Sequence, residues 1–190
     1  MAEVVLFHHA QGLTAGVVDF ADTLRGAGHS VHTPDLYEGR TFTELADGLA
    51  YAEQVSFEEL NARADRAVAE LPEQLVYAGM SLGVVAAQRL AQTRPGARGA
   101  LLLYSCVATS YFGPWPAGLA AQIHAMAADP IFVDDGDLAA AQALVDEVAE
   151  AELWLYPGEQ HLFADSSLPA YDPDAATLLT QRVLDFLPTG

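Results

Sequence analysis

The chain contains no lysine. Its 190 residues hold 26 acidic side chains against 8 arginines, for a formal net charge of −18. That balance lacks the positive footprint that nucleic acid and anionic membrane surfaces require, so neither is expected as a partner. Cysteine occurs once, as Cys106, and no intrachain disulfide can form. A reducing, cytoplasmic location is then the default. No run approaches ~18 consecutive apolar residues, so no membrane span is expected. The amino terminus, MAEVVLFHHAQG, carries an acid where a signal peptide carries a base, and its apolar run suits a strand. Internal repeats and low-complexity tracts are also missing.

What the chain does have is apolar and periodic. Hydrophobic residues make up 52% of it, which is globular material, and its length suits one domain, 1–190, with a full core. Strands are expected at Glu3–His9, Ser30–Thr33, Gln74–Ala78, Ala100–Cys106, Ala121–Ala127 and Glu152–Tyr156. Helices are expected at Ala15–Ala27 (capped by Thr14, stopped by Gly28), Phe57–Leu71 (capped by Ser56), Gly83–Thr93, Leu138–Ala149 and Asp174–Leu187. Alternation of the two implies an α/β protein with a mostly parallel sheet of about six strands, covered by helices on both faces. In such sheets the functional residues gather at the C-terminal ends of the strands.

One junction stands out. In VYAGMSLGVVAAQ, Ser81 lies between Gly79 and Gly83, just where a strand gives way to a helix. Gly-x-Ser-x-Gly in that setting forms a nucleophile elbow, because a Cβ at either glycine would collide with the sharp turn. A serine needs a base, and the base needs a carboxylate to orient it, in the chain order Ser, Asp or Glu, His. Two histidines follow Ser81. His124 falls inside an apolar strand. His161 follows Pro157-Gly158, which ends the sixth strand and releases a loop at the correct edge. Among the acids between them, Asp129 directly follows the fifth strand and is the first choice, with Asp134 second. Asp135 and Asp137 precede a helix and suit its N-cap or first turn.

His8-His9 resembles a metal pair, but neighbours in a strand face opposite ways and no further ligands are spaced for an ion, so no metal is expected. The segment HHAQGLT suits a second oxyanion-hole element, with the N–H of Ala10 or Gln11 joining that of Leu82, and with His9 lining the site. Cys106 reads as a small buried hydrophobe. Tyr111, Phe112 and Trp115, in the Pro- and Gly-rich loop ATSYFGPWPAGLA, either wall a substrate pocket or belong to a surface loop pinned by the tryptophan. Arg40 is the best-placed cation.

With these segments in place, the whole chain resembles the dienelactone hydrolase family of the α/β-hydrolase fold. TPDLYEGRTF looks like that family's segment after the second strand, GMSLG its elbow, DPIFV its acid segment and YPGEQHLFAD its histidine segment. The resemblance implies a cofactor-free hydrolysis of small esters or lactones through an acyl-enzyme, with Ser81, Asp129 and His161 as the triad. Two departures are visible. Many members carry cysteine in the elbow where this chain has Ser81, and the namesake enzymes carry a carboxylate-binding arginine four residues past the histidine, where this chain has Asp165. An uncharged substrate is expected for that reason. A non-catalytic binder of small molecules and an acyltransferase fit the same motifs, and an oligomer is compatible with them.

Overall fold

The computed structural model describes residues 1–188. Six strands form one parallel sheet: β1 (Glu3–Phe7), β2 (Ser30–His32), β3 (Val76–Met80), β4 (Gly99–Leu103), β5 (Ala121–Met126) and β6 (Ala151–Tyr156). Their spatial order is β2-β1-β3-β4-β5-β6. The chain therefore starts near one edge, steps outward once, then returns past β1 and builds the rest of the sheet in the other direction. The reversal lies between β1 and β3, and a crevice at such a reversal is where open α/β sheets place their sites.

Among the described residues, seven α-helices surround the sheet: α1 (Ala15–Gly26), α2 (Leu45–Val55), α3 (Phe57–Val68), α4 (Gly83–Thr93), α5 (Pro130–Asp134), α6 (Asp137–Glu147) and α7 (Pro173–Phe186). Alternate residues of the central strands feed two cores. Val5, Phe7, Tyr77 and Leu102 pack on one side with Leu60, Ala64, Val84, Leu90 and Leu144. On the other, Val4, Leu6, Val76 and Leu101 pack with Val17, Leu24, Leu179 and Val183. β3 and β4 are buried along their whole length, as strands covered on both faces must be. None of the helices among the described residues is long and apolar enough to cross a membrane.

Several local expectations change. Thr14 and Ser56 do cap α1 and α3, each accepting from a backbone N–H three residues on. Asp135, however, does not N-cap α6 but is the C-cap of α5; the N-cap of α6 is Gly136 with φ +96, and Asp137 is its first residue. The helices at Leu45–Val55 and Pro130–Asp134 are not among those expected from the sequence. α2 lacks a side-chain cap and has Gly48 in its first turns, so neither usual boundary signal is present. Gly48 is required there because a Cβ would run into the Ala10 carbonyl. β1 ends at Phe7 rather than His9, and β4 at Leu103 rather than Cys106, where Tyr104 turns to φ +71.

Candidate active site

Ser81 occupies a strained turn. Its φ is +50, and its N–H still donates to the Leu103 carbonyl as if β3 continued (2.7 Å). An L-residue in that left-handed region costs roughly 1–3 kcal/mol, tolerated where the surroundings fix it. They do so here by close backbone contact. A Cβ on Gly79 would lie 2.6 Å from the Val84 nitrogen, and one on Gly83 would lie 2.7 Å from the His8 carbonyl oxygen. Both glycines are therefore steric requirements of the strand-to-helix turn that presents the serine.

The loop after β6 brings His161 to this turn. Its Nε2 is 2.8 Å from Ser81 Oγ, and its Nδ1 is 2.6 Å from Asp129 Oδ2. Asp129 is fully buried at the end of β5. Its other oxygen, Oδ1, accepts from the Ile131 N–H (3.0 Å) and caps α5, whose Pro130 stands at the first helical position. A carboxylate can only accept, so Nδ1 of His161 carries the proton and Nε2 is left to accept from the Ser81 hydroxyl. The aspartate is thus held by its helix while it sets the tautomer of the histidine. Asp134 is exposed at the end of α5.

The donors beside Ser81 come from two elements. Leu82 opens α4, and among the described residues its N–H makes no hydrogen bond. It belongs to the orphan donors of a helix N-terminus, which favour developing negative charge. The loop after β1 lies against this point, as the closeness of Gly83 to Phe7 and His8 requires. Of the two residues expected to contribute from that loop, Gln11 has its N–H committed to His9 Nδ1 at 3.2 Å. Ala10 makes no such bond among the described residues, so its N–H is the available one. The Gln11 side chain instead holds the carbonyls of Phe42 (3.1 Å) and Thr43 (2.7 Å).

Four residues expected to touch substrate lie elsewhere. His9 is completely buried, with both ring nitrogens bonded to the protein, so it does not line an open site. The loop with Tyr111, Phe112 and Trp115 is drawn away along α4. Gln88, fully buried in that helix, donates to the Val107 carbonyl (2.6 Å) and accepts from the Val107 N–H (3.0 Å). Gln92 donates to the carbonyls of Thr109 (3.1 Å) and Gly113 (2.5 Å). Trp115 joins the core and bonds its indole N–H to Leu119 (2.8 Å), while Tyr111 is 77% exposed. The tryptophan pins this loop, and none of its three aromatic residues lines the crevice beside the elbow.

Cys106 is buried, and burial, followed by the nearby Asp137 carboxylate, pushes its thiol up to about 12. His124 is also inert. It is bonded to Tyr156 and Gln122 beneath α7, and burial, aided by Arg182, depresses it to about 3. No cluster of three or more metal-ligating side chains exists among the described residues. Arg40 lies over the ring of Tyr51 at 5.2 Å.

A narrow apolar crevice with a cavity volume of only about 20 Å³ opens beside the elbow. Leu36, Tyr37, Phe57, Leu60, Leu82 and Ala86 supply most of its walls, so it lies between α3 and the start of α4. Several polar atoms around it are already engaged. The Tyr37 hydroxyl donates to the Gly48 carbonyl (3.3 Å). His8 donates from Nδ1 to the His9 carbonyl (2.8 Å) and accepts at Nε2 from the Leu36 N–H (3.1 Å). Burial holds His8 neutral by lowering it to about 4, the bond to the His9 carbonyl offsetting part of that effect.

Solved structures share this architecture at low sequence identity. A dienelactone hydrolase-like promiscuous phosphotriesterase from metagenomic libraries superposes with a TM-score of 0.74 at 18% identity, over 97% of this chain and 84% of that one. A candidate dienelactone hydrolase from Klebsiella pneumoniae subsp. pneumoniae gives 0.74 at 20%, over 98% and 86%. The esterase PE8 gives 0.64 at 18%, over 98% and 93%. No curated protein sequence matches the chain. These likenesses establish the α/β-hydrolase fold. The sequence profile of the dienelactone hydrolase family matches residues 1–189, and the chain belongs to that family of hydrolases.

Proposed function

We propose that the protein is a serine hydrolase of small, uncharged carboxylic esters or lactones, acting without a cofactor. The observation that carries this reading is the unbroken hydrogen-bond chain from Ser81 through His161 to the buried Asp129. As the Ser81 oxygen attacks the carbonyl carbon, its proton passes to His161 Nε2, and Asp129 stabilises the imidazolium that results. Negative charge grows on the former carbonyl oxygen, and the N–H groups of Leu82 and Ala10 receive it. His161 then protonates the departing alcohol. In the second half, it takes a proton from water, which attacks the acyl-enzyme and frees Ser81. The expected setting is the cytoplasm.

The apolar cleft supports the substrate class. Its lining offers no free charge to pair with an ionised substrate, and the arginines nearest α3 are committed. Arg63 bonds the Leu36 carbonyl (2.7 Å) and Glu59 (3.1 Å), and Arg89 bonds Asp65 (2.7 Å). Burying an unpaired carboxylate there would cost several kcal/mol or more. Nitrophenyl esters from acetate to decanoate, together with a succinate half-ester, test this. We expect kcat/KM to peak at short chains and to be at least about tenfold lower for the anionic succinate ester than for butyrate, a difference of ~1.4 kcal/mol. Equal turnover of the succinate and butyrate esters, or a preference for the longest chains, would contradict it.

A further inference from the structure

Behind the Ser81–His161–Asp129 chain lies a second buried histidine–aspartate pair. Asp165 is 1% exposed and His9 is fully buried. His9 Nε2–H donates to Asp165 Oδ2 at 2.8 Å, and the Thr14 hydroxyl donates to the same oxygen at 2.5 Å. The other oxygen, Oδ1, accepts from the Ser167 N–H (2.8 Å) and hydroxyl (2.6 Å). Burial alone would raise this carboxyl. The bonds from His9, Ser167 and Thr14 together outweigh it and hold Asp165 at about 2, so it is ionised at neutral pH. Nδ1 of His9 accepts from the Gln11 N–H, which makes the ring a neutral tautomer protonated at Nε2. Asp165 is therefore a buried anion satisfied by neutral donors.

The pair joins two loops that are far apart in sequence. His9 is the hub of the loop after β1. Its ring takes the Gln11 N–H, and its carbonyl takes the Gly12 N–H (3.0 Å) and the His8 ring (2.8 Å). Among the described residues, the N–H of Ala10, between His9 and Gln11, makes no hydrogen bond. Asp165 is four residues past His161, and its own N–H closes a turn on the Leu162 carbonyl (3.0 Å). The carboxylate thus latches the segment that carries the free N–H to the segment that carries the base.

We propose that Asp165 and His9 are positioning residues that fix the Ala10 N–H at the reacting carbonyl oxygen while His161 meets Ser81. The inference rests on the hydrolase reading above. Hydrogen bonds to an ionised acceptor are roughly twice as strong as neutral ones, which suits a latch that must hold a loop to within a fraction of an ångström. A donor displaced by about 1 Å can cost a factor of ~10² in rate.

The experiment compares wild type with Asp165→Asn, His9→Phe, His9→Gln and the double variant Asp165→Asn/His9→Phe. Active sites are counted by fluorophosphonate titration, so that rates refer to folded, reactive protein. Affinities are measured for an alkyl boronic acid, which forms a tetrahedral adduct on serine, and for the corresponding carboxylic acid product. Asp165→Asn and His9→Phe should each lower kcat per active site by about 10- to 100-fold, with KM changed less than about threefold. Boronate binding should weaken by a comparable factor, and product binding should not. Glutamine at position 9 keeps a donor and an acceptor and should restore much of the loss. The double variant should be no worse than the more damaged single one, because both break the same latch. A lowered melting temperature with kcat per active site and boronate affinity intact would overturn the proposal. If Asp165→Asn does not fold, the contrast between His9→Phe and His9→Gln decides the matter on the same readouts. Wild-type protein that neither turns over an ester nor takes the label would overturn the hydrolase reading, and the positioning role with it.

Discussion

Ser81→Ala should lower kcat for a short nitrophenyl ester by about 10⁴- to 10⁶-fold while leaving the fold intact. The size follows from the chemistry. Without Oγ no acyl-enzyme forms, and His161 can only assist direct attack by water, aided by the remaining donors. Stability should hardly change. Alanine accepts the φ of +50 at this position about as well as serine does. Its loss removes one hydrogen bond to His161, worth about 1 kcal/mol. Steady-state kinetics and a thermal melt on the same preparation check both halves. Residual activity within tenfold of wild type would show that the hydroxyl is a bystander in a tight turn.

Asp129→Asn should be nearly as severe, at about 10³- to 10⁴-fold in kcat near neutral pH. The replacement is close to isosteric, and asparagine is as good an N-cap as aspartate, so α5 keeps its bond from the Ile131 N–H. What changes is the group facing His161. With the amide oxygen on the cap, its NH₂ points at Nδ1, which must then accept. The proton moves to Nε2, the nitrogen that has to take the Ser81 proton. The histidine is left in place with the wrong tautomer, so KM for the ester should change little while kcat falls. Full activity in Asp129→Asn, with the substitution confirmed by mass, would mean that another acid orients the imidazole. Asp134, exposed at the end of α5, would be the wrong place to look.

Much of this site was legible in the sequence because local sterics encode it. Two glycines flanking Ser81 make sense only where a strand turns sharply into a helix. Pro157-Gly158 marks the release of the loop that carries His161, and Asp129-Pro130 marks a strand end. Chain order then supplied the pairing. The parallel sheet was legible for a similar reason, since strands buried on both faces read as unbroken apolar runs.

What escaped the sequence depends on contacts between distant segments. Nothing local to Tyr111–Trp115 says which way the loop leaves β4. The buried amide of Gln88 and the half-buried amide of Gln92 decide it, by capturing carbonyls about twenty residues away. α2 was hidden because Gly48, needed for its approach to Ala10, weakens the helical signal. His9 looked like a site residue from its place beside the oxyanion loop, and Asp165 looked like a substrate-repelling charge from its place after His161. Each is buried against the other across 156 positions of chain, and no spacing rule links them.

The central claim is that one hydroxyl in 190 residues is made nucleophilic by its setting. Reaction with a fluorophosphonate, followed by trypsin digestion and mass spectrometry, tests it most directly. The chain has no lysine, so cleavage falls only after arginine, and Ser81 lies in the single peptide 67–89. The account predicts one adduct per chain, on Ser81, formed quickly by wild type and about 10³-fold or more slowly by Asp129→Asn. Native protein that stays unlabelled, or that carries the adduct on a different residue, would contradict it.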